Sequence, residues 1–152
     1  MELEGKILVP GARQQVWNRL IDPAILQRCI PGCSELVRTT ETEFNGKMVV
    51  RVGPVSATFT GGVALEEMTE PERCVLVGQG KGGAAGFAKG SASIRLEVEG
   101  DSTRLIYAAT IQIGGKLAAV GNKLFGSVAR RNIDEFFDGF REVMREDQVV
   151  SS

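Results

Sequence analysis

The sequence predicts an α+β fold in which a seven-stranded antiparallel sheet wraps around a long C-terminal helix, with two short helices after the first strand. Residues 2–9 alternate between polar and apolar side chains, which is typical of a strand with one buried face. Six further strand-like runs follow residue 33, and residues 116–145 then carry apolar side chains at helical spacing. An antiparallel sheet with one apolar face needs a cover, and the last helix is long enough to provide it.

The connections between these elements are marked by proline, glycine and polar residues. Pro10-Gly11 ends the first strand, and residues 12–21 form the first short helix. Asp22-Pro23 combines an N-cap with a proline at the first helical position, so the second short helix starts there and runs to Cys29. The remaining strands are expected at residues 34–39, 43–52, 55–68, 73–80, 89–99 and 103–113.

Length and composition indicate one soluble, cytoplasmic domain. The chain has 152 residues and a formal net charge of -1, which gives no reason to expect a nucleic-acid partner. It has no histidine and three cysteines, so we expect no metal site and a reducing compartment. No signal peptide or membrane-spanning run is present. We expect the domain to cover residues 1–146, followed by a frayed tail over residues 147–152.

The two ends of the predicted sheet differ in charge. Successive connections of a meander alternate between its ends, so the connections at 29–33, 53–54, 81–88 and 114–115 share one end. Acidic turns occupy the other end, whereas the first end is rich in glycine and carries a set of cations: Arg28, Arg51, Lys81, Lys89 and Lys116. We interpret the basic end as a site for an anionic surface or head group; the alternative is a solvated face that happens to be basic.

The first half of the long helix supports this interpretation. Its charges are all positive, although the macrodipole disfavours cations near a helix N-terminus by roughly 0.3–1 kcal/mol each. It also carries a second apolar stripe beside the main one, which is either extra core or the wall of a cavity. The residues of that second stripe are Leu117, Val120, Leu124 and Val128.

The inward faces of the strands predict an apolar cavity and no catalytic group. Period-two alternation places no acidic or basic side chain on these faces, and Tyr107 is their one strong polar group. Several small residues would leave room for a ligand, unless the helix packs closer there. We predict a cavity lined by Phe44, Val50, Ala57, Phe59, Ala92, Ile94, Tyr107, Ile111, Leu117, Val120, Leu124 and Val128. Its mouth, or a surface for a partner or membrane, is predicted at Pro31, Gly32, Pro54, Lys81, Gly82, Gly83, Phe87, Lys89, Lys116 and Lys123.

Several motifs together resemble the CoxG family, that of the CoxG subunit of carbon monoxide dehydrogenase, within the START/SRPBCC, or helix-grip (Bet v-like), superfamily. They are Val16-Trp17-x-x-Leu20-x-Asp22-Pro23, Cys29-Ile30-Pro31-Gly32-Cys33, Val52-Gly53-Pro54-Val55, the run Gly80–Gly90 and Gly114-Gly115-Lys116-Leu117. The resemblance implies a non-enzymatic accessory protein of a molybdenum-containing dehydrogenase. It further implies that menaquinone, ubiquinone or another lipid binds in the cavity, and that the protein recruits the enzyme to the inner face of the membrane.

Two other functions stay open at this stage. One is an assembly subunit with a filled core and no ligand, which would bind the dehydrogenase through its loops. The other is a small enzyme of the cyclase or hydrolase type found in the same superfamily, which would need inward acids or a site built on Tyr107. The sequence leaves the ligand, the dehydrogenase and a homodimeric state undecided.

Overall fold

The computed structural model describes residues 1–151 and confirms the predicted fold. All seven strands pair antiparallel in one sheet of order β1-β7-β6-β5-β4-β3-β2. The strands are β1 (Glu2–Pro10), β2 (Cys33–Arg38), β3 (Glu43–Val52), β4 (Val55–Thr69), β5 (Arg73–Lys81), β6 (Phe87–Glu99) and β7 (Ser102–Gly114). The helices are α1 (Arg13–Leu20), α2 (Pro23–Cys29), α3 (Lys116–Ala119) and α4 (Asn122–Ser151), with a short 3-10 turn at Gly83–Ala85.

The expected turn and cap residues determine where several elements begin. The Asp22 carboxylate accepts a hydrogen bond of 3.0 Å from the Ala24 backbone N–H, and Pro23 is the first residue of α2. Gly53 joins β3 to β4 with a φ of +57°, as a two-residue hairpin turn with glycine at its first central position requires. These local features explain why the predicted strand and helix starts agree closely with the structure.

Two apolar clusters hold α4 against the inner face of the sheet, which we define as the face toward this helix. The first, the α1 cluster, packs α1 against the C-terminal half of α4 and includes Val16, Trp17, Leu105, Phe140 and Met144, all fully or almost fully buried. The second, the loop-end cluster, comprises Val52, Phe59, Ala85, Leu117, Phe125 and Val128. The helix is thus packed at both ends, and its middle spans the centre of the sheet.

The long helix differs from the prediction in two places. The single helix expected from Lys116 is broken, because Gly121 adopts a φ of +92° and separates α3 from α4. The tail expected from residue 147 is helical over residues 147–151, because α4 continues through Ser151, and its fraying stays a prediction. Arg19 donates to the Asp147 carboxylate at 2.8 Å and so ties this last part of α4 to α1. Ser152 lies outside the described residues.

Three of the glycine-rich connections meet at one end of the sheet, which we call the loop end. Gly115 approaches Gly86 so closely that a Cβ on Gly115 would lie 2.6 Å from the Gly86 Cα. Leu124 at the start of α4 packs over Gly53. Pro31-Gly32 lies farther along the sheet, where the Val49 N–H donates to the Gly32 carbonyl oxygen at 2.9 Å. The glycines of the β5–β6 and β7–α3 connections therefore allow two backbones to pack together.

Five glycines occupy the middle of the inner face on four adjacent strands: Gly46, Gly61, Gly78, Gly80 and Gly90. At Gly46, Gly61 and Gly90, a neighbouring backbone oxygen occupies the place where a Cβ would be. These oxygens belong to Glu35, Gln79 and Thr110 respectively. Gly78 and Gly80 do not, since their nearest neighbours would be the Val63 Cγ2 at 3.4 Å and the Phe59 Cβ at 3.7 Å. Close strand packing explains Gly46, Gly61 and Gly90. It does not explain Gly78 and Gly80.

Gly78 and Gly90 are register partners and form a matched pair for testing this difference. We expect Gly78→Ala to raise the free energy of unfolding by about 0.5–1 kcal/mol, because alanine loses less backbone entropy and meets no obstruction. We expect Gly90→Ala to lower it by about 1–3 kcal/mol, because the new methyl group meets the Thr110 carbonyl oxygen. Urea unfolding of both variants measures this, and equal destabilisation would show that the space above Gly78 is filled.

Candidate functional site

A cavity of about 470 Å³ lies between the inner face of the sheet and α4. Its floor is the glycine-rich centre of β3 to β6, and its roof is the stripe Phe125, Val128 and Ala129 of α4. The α1 cluster bounds it on one side and the loop-end cluster on the other. The cavity therefore occupies the stretch where α4 spans the sheet between its two packed ends.

The charged residues along the cavity wall turn their side chains away from it. Lys47 alternates with the inward Gly46 and Met48, and Lys89 alternates with Ala88 and Gly90. Both side chains therefore project from the outer face. The Glu35 carboxylate pairs with the Lys47 ammonium there, at 3.9 Å. Among the described residues, the cavity interior is thus formed by apolar, glycine and neutral polar groups.

Seven of the twelve predicted cavity residues line this cavity. They are Phe44, Val50, Phe59, Ala92, Ile111, Leu117 and Val128. They lie on the inner face of the sheet or on the helices that cover it, where strand alternation and helical spacing placed them. Whether they bind a ligand stays a prediction.

The other five predicted cavity residues do not line it. Ile94 and Tyr107 are buried in the α1 cluster. Ala57 and Val120 pack against the loop-end cluster. Leu124 is 40% exposed and packs over Gly53 at the loop end. Period-two and helical spacing identify the correct face of an element, but they do not show which positions along it pack in a core.

Tyr107 is held in place by structural contacts. The Arg130 guanidinium donates to the Tyr107 hydroxyl oxygen at 2.6 Å and to the Glu4 carbonyl oxygen at 3.2 Å. The Tyr107 ring stacks on Phe137 with ring centroids 5.3 Å apart, and Gly5 leaves space for the phenol. This arrangement joins β1, β7 and α4, and it keeps the hydroxyl group away from the cavity.

The predicted mouth does not open into the cavity. Pro31, Gly32, Pro54, Gly82, Gly83, Phe87, Lys81, Lys116 and Lys123 are absent from its wall, and the Lys89 side chain projects from the outer face. The loop-end cluster fills the space beneath the turns instead. Arg28 also lies elsewhere, since its guanidinium pairs with Glu146 near the C-terminal end of α4 at 3.0 Å. Three of the four predicted connections share one end of the sheet, but packed side chains close that end.

The loop end nevertheless forms a distinct surface. Lys81, Lys116 and Lys123 are exposed there and make no ion pair with any described residue. Phe87 and Leu124 are 41% and 40% exposed beside them. We call these five residues the loop-end surface. It combines cations with exposed apolar side chains, which is typical of a surface that contacts an anionic membrane or partner.

The predicted cavity set omits many of the lining residues, and two of those omitted, Cys33 and Asn132, carry polar groups. Cys33 of β2 lines the wall, and its thiol donates to the Glu35 carbonyl oxygen at 3.5 Å. Burial raises the pKa of the Cys33 thiol, so the group is neutral at physiological pH. Asn132 of α4 lines the wall as well. A sequence signal for Asn132 exists. Val128 and Phe136 lie four residues before and after it, so helical spacing predicts an apolar side chain where the amide stands.

A second depression, of about 610 Å³, lies on the outer face of the sheet. Its wall carries polar and charged side chains in register across the strands, namely Asn45, Gln79, Lys89 and Gln112. Such a wall suits polar groups or water better than an apolar ligand. The apolar cavity is therefore the stronger candidate for a lipophilic molecule.

Sequence comparison assigns the chain to a family. The profile of the CoxG subunit of carbon monoxide dehydrogenase matches residues 5–145. The chain belongs to the CoxG family. No curated protein matches the CoxG-family chain in sequence. In the described residues, no helix is both long and apolar enough to cross a bilayer, and no group of three or more potential ligands could hold a metal ion.

Solved structures resemble this CoxG-family protein over nearly its whole length. A conserved protein from Geobacillus kaustophilus is 28% identical, with a TM-score of 0.89 and 96% of both chains covered. A START superfamily protein from Mycobacterium smegmatis is 10% identical, with a TM-score of 0.71 and coverage of 95% of this chain and 97% of that chain. The Zhui aromatase/cyclase from Streptomyces sp. R1128 is 15% identical, with a TM-score of 0.70 and coverage of 95% and 93%. The last two likenesses show the START/SRPBCC fold alone.

Proposed function

We propose that the protein holds a neutral lipophilic molecule, a quinone or a similar lipid, in its cavity as a non-catalytic accessory protein of a molybdenum-containing dehydrogenase. One observation carries the ligand part of this proposal. Gly78 and Gly80 keep the centre of the inner face bare although a Cβ there would meet its neighbours only at ordinary van der Waals distances, 3.4 Å or more. Glycine within a strand costs about 0.5–1 kcal/mol relative to alanine, and space for a ligand is a reason to retain it twice.

The size and polarity of the cavity fit this class of ligand. Its volume of about 470 Å³ is within the range of roughly 300–1,000 Å³ that is usual for small-molecule sites. The side chains of Lys47, Lys89 and Glu35 all lie outside it. A carboxylate or phosphate inside would lose its hydration without gaining a countercharge, so a neutral ligand is favoured.

The geometry gives little support to an enzymatic role. General acid–base catalysis needs a titratable group within reach of the substrate. Tyr107 and Arg130 contact each other outside the cavity, and the Cys33 thiol is neutral. The likeness to the Zhui aromatase/cyclase concerns the fold, and that enzyme's activity is not carried over. A ligand-free assembly subunit is the main competing function, and the cavity argues against its filled core.

The family name supports the choice of partner, and the loop-end surface supports a membrane role. We infer that the protein binds a dehydrogenase of the carbon monoxide dehydrogenase type and brings it to the cytoplasmic face of the membrane as a peripheral contact. The segments 44–65, 73–96 and 102–133, which form most of the loop end, contain no acidic residue. The unpaired lysines would contact anionic head groups while Phe87 and Leu124 insert at the interface.

Filling the cavity should block uptake. We expect Gly78→Leu to weaken the binding of a menaquinone with a short isoprenoid tail by roughly tenfold, since overpacking of this order costs about 1–3 kcal/mol. Thr58→Leu is the matched control, because Thr58 is an exposed residue on the outer face of β4. Binding is measured by gel filtration of the loaded protein and extraction of the bound quinone. Unchanged uptake by folded Gly78→Leu and by folded Gly80→Leu would contradict the assignment of the cavity.

Reversing the charge of the loop end should weaken membrane contact. We expect the triple variant Lys81→Glu, Lys116→Glu, Lys123→Glu to lose binding to phosphatidylglycerol-containing vesicles by more than about tenfold, at roughly 1 kcal/mol per lysine. Lys6→Glu, Lys47→Glu, Arg73→Glu changes the net charge equally at exposed strand positions away from the loop end and should keep most binding. Vesicle sedimentation measures both. Equal losses of vesicle binding in the two triple variants would mean that net charge, and not the loop-end surface, determines membrane binding.

A further inference from the structure

Asn132 interrupts the apolar stripe by which α4 covers the cavity. Phe125, Val128 and Ala129 precede it on the same face of the helix, and Phe136 follows it in the α1 cluster. Asn132 is half-buried and belongs to the cavity wall. A single amide therefore stands where the pattern of the helix calls for an apolar side chain.

The amide of Asn132 has no hydrogen-bond partner among residues 1–151, whereas neighbouring polar side chains of α4 do. The Arg130 guanidinium donates to the Tyr107 hydroxyl oxygen at 2.6 Å, and the Ser127 hydroxyl donates to the Lys123 carbonyl oxygen at 3.1 Å. Asparagine is also a weak helix former, so neither packing nor helix propensity explains this residue. Leucine would satisfy both packing and helix propensity at this position.

The other polar groups of the wall do not offer the same chemistry. The Cys33 thiol already donates to the Glu35 carbonyl oxygen, and a thiol is a weak donor. The side chains of Lys47 and Lys89 lie on the outer face of the sheet. The Asn132 carboxamide has two N–H donors and one acceptor oxygen, and it carries no charge. It is thus suited to a neutral carbonyl or hydroxyl oxygen of a largely apolar ligand.

We propose that Asn132 is the specificity-determining residue of the cavity and donates a hydrogen bond to a neutral oxygen of the ligand, such as a quinone carbonyl. This inference rests on the proposed ligand-binding function and adds to it the position of the polar head. The oxygen-bearing ring lies against α4 at Asn132, and the hydrocarbon part lies over the glycine floor at Gly78 and Gly80. The cavity then selects oxygen-bearing lipids over pure hydrocarbons.

Two probes and two variants test this selection. The probes are a short-tailed menaquinone and squalene, a hydrocarbon without oxygen. We expect Asn132→Leu to weaken menaquinone binding by about fivefold, which corresponds to one hydrogen bond of roughly 1 kcal/mol, and to leave squalene binding unchanged or tighter. Asn122→Leu is the matched control, since Asn122 is exposed at the start of α4 and lies outside the cavity wall. Asn132→Ala replaces Asn132→Leu if leucine prevents folding.

The infrared carbonyl stretch of the bound quinone gives a second readout. A hydrogen bond from Asn132 lowers this frequency, so the stretch in Asn132→Leu should move to the value of the quinone in an apolar solvent. Equal weakening of both probes would mean that Asn132 acts through shape, and unchanged menaquinone binding and frequency would mean that it makes no contact; either result overturns the inference and leaves the cavity function in place. A wild-type protein that takes up neither probe overturns the proposed function and this inference together.

Discussion

The structure depends on how α4 is held over the sheet. The α1 cluster packs its C-terminal half and the loop-end cluster packs its start, so the helix cannot settle onto the centre of the sheet without disrupting one of them. Between the two clusters, Gly78 and Gly80 of β5 leave the inner face without side chains although a Cβ would have room there. Packing at the ends and bare backbone in the middle together produce the cavity, because protein interiors are otherwise closely packed.

Polar contacts set the position of α4 more than they add to its stability. The Arg19–Asp147 pair joins α1 to the last turns of α4, and the hydrogen bond with Asp147 raises the pKa of the Arg19 guanidinium. Arg28 of α2 and Glu146 make a similar pair that is more exposed. Such surface pairs contribute little individually, and the apolar burial of Trp17 and Phe140 carries the energy of this end. The pairs instead fix the direction of the helix relative to α1 and α2.

The sequence predicts the sheet and the helix order because strand alternation and turn residues are local signals. Asp22-Pro23 and Gly53-Pro54 each specify their turn or cap without help from the rest of the chain. The position of the cavity along the sheet depends instead on which inward residues pack in a cluster, and that is a property of the assembled fold. Tyr107 and Ile94 face inward as predicted, yet they belong to the α1 cluster and not to the cavity wall. The break at Gly121, the helical end of the chain and the role of Asn132 likewise depend on contacts between distant segments.

The most direct measurement is organic extraction of the protein purified from quinone-producing cells, followed by mass spectrometry of the extract. We expect a neutral, oxygen-bearing lipid or quinone at close to one molecule per chain. An empty extract, together with no uptake of added menaquinone or ubiquinone, would contradict it and would indicate that the space between α4 and the sheet does not serve a ligand.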